Sequence, residues 1–234
     1  MNTSSENTRN WKETLLGEAL LLGVLSKIMQ SQPEKEWIEN LIKEDLFSEL
    51  PLEVKNKDLE IGLALLHSWS NQYKDGFGDH ILVGLRADHT NLFVGVGKPV
   101  APPWESVYFN EDRMIFQEQT LQVREWYRKF GLEPENLRKE PDDHIALELS
   151  FLAHLASLGL MAIENKDDAG LEKSLQAQRQ FLHDHTLRWM KFWAGSVEKH
   201  AKTDLYRGTA ILTRGTLMAL VEVLGVEMPE EIAQ

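Results

Sequence analysis

The sequence predicts an all-α fold. Apolar residues recur at three- and four-residue spacings along most of the chain, and no alternating run is long enough to read as a strand. No fixed-period repeat divides the chain. With 234 residues and a hydrophobic fraction of 42%, it can bury one large core. The expectation is a single multi-helix globular domain over residues 11–234, behind a disordered polar tail, MNTSSENTRN, over residues 1–10.

Trp11, Leu15, Leu22 and Met29 form one apolar stripe, with Leu16, Leu20, Val24 and Ile28 beside it, which defines the first helix. Ser31, Pro33 and Glu34 form a start signal for the second, whose apolar face is Trp37, Ile38, Leu41 and Ile42. Leu59, Leu63, Leu66 and Tyr73 give a third helix ending near Gly76. Asp79 is placed to cap a fourth, which carries Leu82, Leu85, His89, Leu92 and Phe93. Gly95, Gly97 and Pro99 stop it.

From Gly95 to Phe116 runs a long Pro-rich connector. Its Trp104, Tyr108, Phe109 and Phe116 are too apolar for a disordered linker, so it is expected to be ordered against the helices. A fifth helix carries Leu121, Trp126, Tyr127 and Phe130 and closes at Gly131. A sixth is expected to start near Pro141 and run to about Ile163. The polar break ENKDDAG precedes a long pattern through Leu171, Leu175, Leu182, Trp189, Trp193 and Val197. Thr203 caps the last helix and Gly225 ends it.

The formal net charge is −12, from 25 basic and 37 acidic side chains. That balance disfavours a nucleic-acid binder and docking on anionic lipid, and favours a cationic partner. With no cysteine, disulfides, thiolate catalysis and zinc–thiolate sites are excluded. The N-terminus lacks the apolar core of a secretory signal. The run ALLLGVL from Ala19 is far below the ~20 residues a membrane span needs. The expected location is the cytoplasm, with no membrane insertion.

The chemistry-bearing stretch is LRKEPDDHIALE, residues 137–148. Pro141 suits a first helical turn, where its missing N–H costs nothing, and Asp142 and Asp143 suit the positive end of the helix dipole. Glu140, His144 and Glu148 recur every four residues beside an apolar helix, where a charge needs a partner. The residues alone leave three readings open: an internal Glu–His pair, a ligand-recognition site, or acid–base chemistry. A metal-assisted hydrolase built on Asp142, Asp143 and His144 with a distant histidine is the catalytic form of the last. His183, His185 and His154 are further candidates, but HExxH and other ligand spacings are missing. So are GxSxG, a P-loop and a completed GxGxxG. No cofactor is implied.

Three segments together resemble one family: NLFVGVGKPVAPPWESVY, EPDDHIALE and, more weakly, FLHDHTLRW. It is the TorD/DmsD family of cytoplasmic chaperones for molybdenum-cofactor oxidoreductases. The family's EPxDHxxxE pattern is met by Glu140, Pro141, Asp143, His144 and Glu148. Its aromatic-xx-Leu-Phe-x-Gly pattern is met by Leu92, Phe93 and Gly95, with His89 at the aromatic position. The PPW-x-SVY segment is met by Pro102, Pro103, Trp104, Ser106, Val107 and Tyr108. The dense match runs from Leu92 to Leu152.

The resemblance implies a non-enzymatic chaperone. Such a protein binds the twin-arginine leader, and the body, of a molybdopterin oxidoreductase precursor, and delays export until the cofactor is inserted and the enzyme folds. It also implies a peptide site at Leu92, Phe93, Trp104, Ser106, Tyr108, Glu140, Pro141, Asp142, Asp143 and His144. Glu140 and Asp143 are expected to face the peptide and Glu148 to brace the fold. The expected state is a monomer able to exchange helices into a swapped dimer across ENKDDAG.

Overall fold

The computed structural model describes residues 3–49, 54, 56–95, 97–132 and 140–230, and of residues 3–10 the backbone alone. Among them are nine α-helices and no β-sheet. Of the expected tail over residues 1–10, residues 1 and 2 lie outside this description, and the backbone of 3–10 belongs to helix α1 (Thr3–Gln30). Leu137, Arg138 and Lys139 of the acidic motif also lie outside it.

Two helix pairs build the core. Helix α1 packs along α6 (Ile145–Glu164), and α3 (Lys57–Gln72) packs along α9 (Asp204–Leu224). Helices α7 (Asp168–Phe181) and α8 (Leu187–His200) join the two halves, since α7 packs on α6 and α8 on α9. The α3–α9 approach depends on glycine. A Cβ on Gly62 would lie 2.5 Å from the backbone nitrogen of Leu212, which cannot move aside as a side-chain tip can. Helix α6 is long and apolar enough to cross a membrane, but more than half of its apolar stretch is buried in the fold, as a central core helix requires.

Helices α2 (Lys35–Lys43), α4 (Asp79–His89) and α5 (Glu118–Lys129) lie where the spacing puts them. Several ends differ from expectation. The residue before α2 is Glu34 and it makes no side-chain cap. Gly78 precedes α4, so Asp79 is its first residue and pairs instead with Lys35 at 2.6 Å. Thr203 does precede α9, but its hydroxyl donates to Asp88 Oδ2 at 2.8 Å instead of capping the helix. Gly225 ends α9 at φ +67°. Asp167 of the polar break caps α7 by accepting from the Gly170 N–H at 2.9 Å.

Two helices loosen into π turns. In residues 90–94 the Gly95 N–H donates to Thr90 O, five residues back, at 2.6 Å. In residues 182–186 a second π turn connects α7 and α8 without a break. Such insertions release backbone groups for other partners. Leu92 O accepts from the Ala101 N–H at 2.8 Å and so anchors the start of the connector. Gly95, at φ +72° and with Pro99 backbone 2.7 Å from where a Cβ would stand, permits that reversal.

Candidate functional site

The connector and the acidic motif meet as backbone before they meet as side chains. Trp104 and His144 form an isolated antiparallel bridge. The Glu105 N–H donates to Asp143 O at 2.9 Å, and the Ile145 N–H donates to Pro103 O at 2.7 Å. Tyr127 of α5 donates its hydroxyl to Asp142 O at 3.1 Å. These long-range bonds keep residues 142–144 out of the helix, with His144 extended. Helix α6 therefore starts at Ile145, not near Pro141 as the first-turn preferences of Pro and Asp suggest. His144 is the residue before the helix, and its Nδ1 accepts from the Ala146 N–H at 3.1 Å. That bond requires an unprotonated Nδ1, and burial agrees by lowering the His144 pKa to about 4.

Asp143 is fully buried and both its oxygens are taken. Oδ2 accepts from the Ser106 N–H at 2.7 Å and Oδ1 from the Thr120 hydroxyl at 2.7 Å. Asp142 is 1% exposed and bonds the Arg124 guanidinium. Behind them lie two more buried carboxyls. Glu105 meets His185 at 3.0 Å, and Glu148 accepts from the Trp189 indole N–H at 3.3 Å. Burial raises both carboxyl pKa values, aided by their proximity to other acids, while burial lowers His185 to about 4.

Aromatic rings close the site. Trp104 meets the His144 ring edge-on at 6.0 Å between centroids, and Tyr108 lies 5.2 Å from Trp189. Tyr108 also donates to Pro102 O at 3.0 Å. Outside, α5 separates two depressions. A cleft of about 830 Å³ is lined by Gln122, Trp126, His183, Arg188 and the segment 227–230. A pocket of about 250 Å³ is lined by Phe116, Thr120, Leu121 and Arg124.

Residues 60–194, more than half of the chain, match the family described as nitrate reductase delta subunit. The chain belongs to this family, the TorD/DmsD-like redox-enzyme-maturation chaperones. It is 34% identical over 128 residues to the chaperone protein TorD of Vibrio cholerae serotype O1, covering 55% of this chain and 56% of that one. It is 29% identical over 138 residues to a protein of Haemophilus influenzae described as a probable Tat proofreading chaperone DmsD, covering 59% and 61%. The match thus spans little more than half the length of these relatives. In fold it is similar to a redox enzyme maturation protein from Archaeoglobus fulgidus, with a TM-score of 0.50 at 20% identity over 84% of this chain and 92% of that one.

Within this TorD/DmsD-type fold the ten expected site residues divide. Glu140 is exposed, and Trp104, Tyr108 and His144 are partly buried around the bridge. Leu92 and Phe93 are core residues, with Phe93 against Trp193 and Tyr206. Ser106, Pro141, Asp142 and Asp143 are buried. Asp143, expected to face a peptide, has both carboxylate oxygens engaged here and ties the connector to α5. Glu148, expected to brace the fold, is buried and accepts from the Trp189 indole. Glu140, His144 and Glu148 do not share a helical edge, because Glu140 precedes α6 by five residues.

Thr120, Arg124, Tyr127 and Glu105 were not singled out from sequence as site residues. Arg124 was the most findable, as a cation at helical spacing from Leu121 and Tyr127. The HDH triplet splits within its π turn: His183 pairs with Asp184 at 2.8 Å and His185 turns inward to Glu105. Among the described residues no group of three or more His, Asp or Glu is arranged to hold a metal.

Proposed function

We propose that this chain is a chaperone that binds the twin-arginine leader of a molybdopterin oxidoreductase precursor and delays its export until the cofactor is inserted and the enzyme is folded. The observation that carries this reading is the junction of the connector with the acidic motif, in a chain of the TorD/DmsD family. There the partly exposed Trp104 and His144 meet edge-on, His144 four residues along the chain from the exposed Glu140. Arginine favours planar contact with carboxylate and aromatic surfaces, and this edge offers both. The Pro-rich connector is the element that supplies the aromatic part. An exposed ion pair contributes only ~0–1 kcal/mol, so apolar burial must supply most of the affinity.

The chain acts in the cytoplasm, where the leader is still attached, and touches the body of the precursor as well as its leader. It binds no nucleic acid, given its net charge of −12. Its ordered domain spans residues 11–234, and it works as a monomer that can swap helices across the break before α7.

The rival reading, a metal-assisted hydrolase using Asp142, Asp143 and His144, finds little support in the geometry. Both aspartates are committed to Arg124, Ser106 and Thr120, and His144 Nδ1 caps α6. Titration of the full chain with a fluorescent twin-arginine leader tests the proposal. Saturable binding that weakens with Arg→Lys in the leader, and with Trp104→Ala and Glu140→Ala in the chain, is expected. Binding indifferent to all three changes rules it out.

A further inference from the structure

The proposed site has too few free carboxylates for its ligand. A twin-arginine leader carries two guanidiniums and an apolar stretch, but Asp142 and Asp143 are occupied internally, which leaves Glu140 alone. Leu92 and Phe93, the expected apolar contacts, are 0% and 4% exposed. If a leader docks here, other surface must receive most of it.

Such a surface adjoins the motif. Met114, Ile115, Phe116 and Leu121 are exposed by 50%, 39%, 45% and 57%. Phe116 and Leu121 line the 250 Å³ pocket together with Thr120 and Arg124, the same two residues that hold Asp143 and Asp142. The platform is rigidly built. The Asn110 carboxamide accepts from the Met114 N–H at 2.8 Å and donates to Met114 O at 3.0 Å and Ser106 O at 2.7 Å. The backbone is also strained, with Arg113 at φ +53° and Phe116 at φ +60°. A bulky L-residue is disfavoured there and is retained where the surroundings enforce it, often at binding sites. Here the strain presents an aromatic side chain to solvent.

The charge around the platform complements the ligand. Glu118 and Glu125 lie three residues before and four after Leu121, and both are exposed; Glu125 stands between the platform and the larger cleft, which it also lines. Glu111 and Asp112 are exposed on the connector side. An apolar strip flanked by acids suits an apolar segment preceded by cations, in a chain that is acidic overall.

We infer that the platform of Met114, Ile115, Phe116 and Leu121 receives the apolar stretch of the leader, and that Glu118 and Glu125 on the adjoining face of α5 share the guanidiniums with Glu140. This rests on the twin-arginine reading above. It moves the apolar contact from Leu92 and Phe93 to a surface that needs no unfolding to reach.

The chain's lack of cysteine makes a direct test clean. Leu121→Cys in the full chain is labelled with an environment-sensitive fluorophore and titrated with a twin-arginine leader peptide. A blue shift saturating with the binding curve is expected, and Met218→Cys on α9 should show none. Phe116→Ser with Leu121→Ser should weaken leader binding about tenfold or more without lowering the melting temperature. A leader whose apolar residues are replaced by serine should bind weakly and be insensitive to that double change. If the unmodified chain binds the leader while the serine variant binds within about twofold of it, or if the Leu121 label shows no shift, the platform is overturned and the twin-arginine reading stands. If the unmodified chain does not bind the leader, both are overturned.

Discussion

Replacing Asp143 by alanine tests whether this carboxylate serves the fold or a ligand. In the structure it is 0% exposed and accepts from the Ser106 N–H and the Thr120 hydroxyl, each at 2.7 Å. Alanine leaves both buried donors unpaired, and each costs roughly 1–3 kcal/mol, so Asp143→Ala should lose about 3–5 kcal/mol. For a chain of this size 1 kcal/mol moves the midpoint by about 2–4 °C, which gives a fall of about 6–20 °C. Asparagine should be far milder, costing about 1 kcal/mol. Its oxygen can keep the Ser106 N–H while its amide donates to the Thr120 oxygen, which can accept. The assay is thermal unfolding by circular dichroism at pH 7, beside a leader titration of each variant. An Asp143→Ala protein that melts within about 2 °C of the parent but no longer binds leader would refute the bracing role and make Asp143 a peptide contact.

Three further outcomes follow from the same geometry. Arg124→Met strands the buried Asp142 carboxylate and should cost about 3–5 kcal/mol in urea unfolding; adding Asp142→Asn should recover at least half of that loss. His89 is buried with both ring nitrogens unpartnered, and burial lowers its pKa to about 4. The unfolded chain then takes up this proton first, so stability is lost as pH falls from about 6.5 towards 4, by about 2 kcal/mol at pH 5. His89→Phe should accordingly raise the melting temperature more at pH 5 than at pH 8, and an equal gain at both would refute the assignment. Gly62→Ala drives a methyl against the Leu212 backbone and should lower the melting temperature by several degrees, where alanine in an exposed helix would raise it.

Much of the helical framework was legible because amphipathic spacing is a local signal. The stripe of Leu15, Leu22 and Met29 and the run of Trp189, Trp193 and Val197 are buried as their periods require. Helix ends were less legible, since a cap depends on what else competes for the side chain. Thr203 is drawn away by Asp88, and Asp79 by Lys35. The candidate site was legible as a set of residue types but not as an arrangement. Trp104 and His144 do meet, at the bridge between the connector and the acidic motif. Which acids remain free depended on Thr120 and Arg124, which are 23 and 18 residues away in sequence from their partners.

Sequence by itself determined the all-α class, the order of the helices, the acidic balance and the family, because each is carried by spacing, composition or short motifs. Only the tertiary structure decided where α6 begins. The Glu105 N–H and the Tyr127 hydroxyl claim the carbonyls of Asp143 and Asp142, and the Ile145 N–H is claimed by Pro103 O, so residues 142–144 stay outside the helix despite first-turn preferences worth only tenths of a kcal/mol each. The same packing turned Asp143 inward and left Phe116 and Leu121 outward. A residue's role followed from its distant partners, which local sequence does not encode.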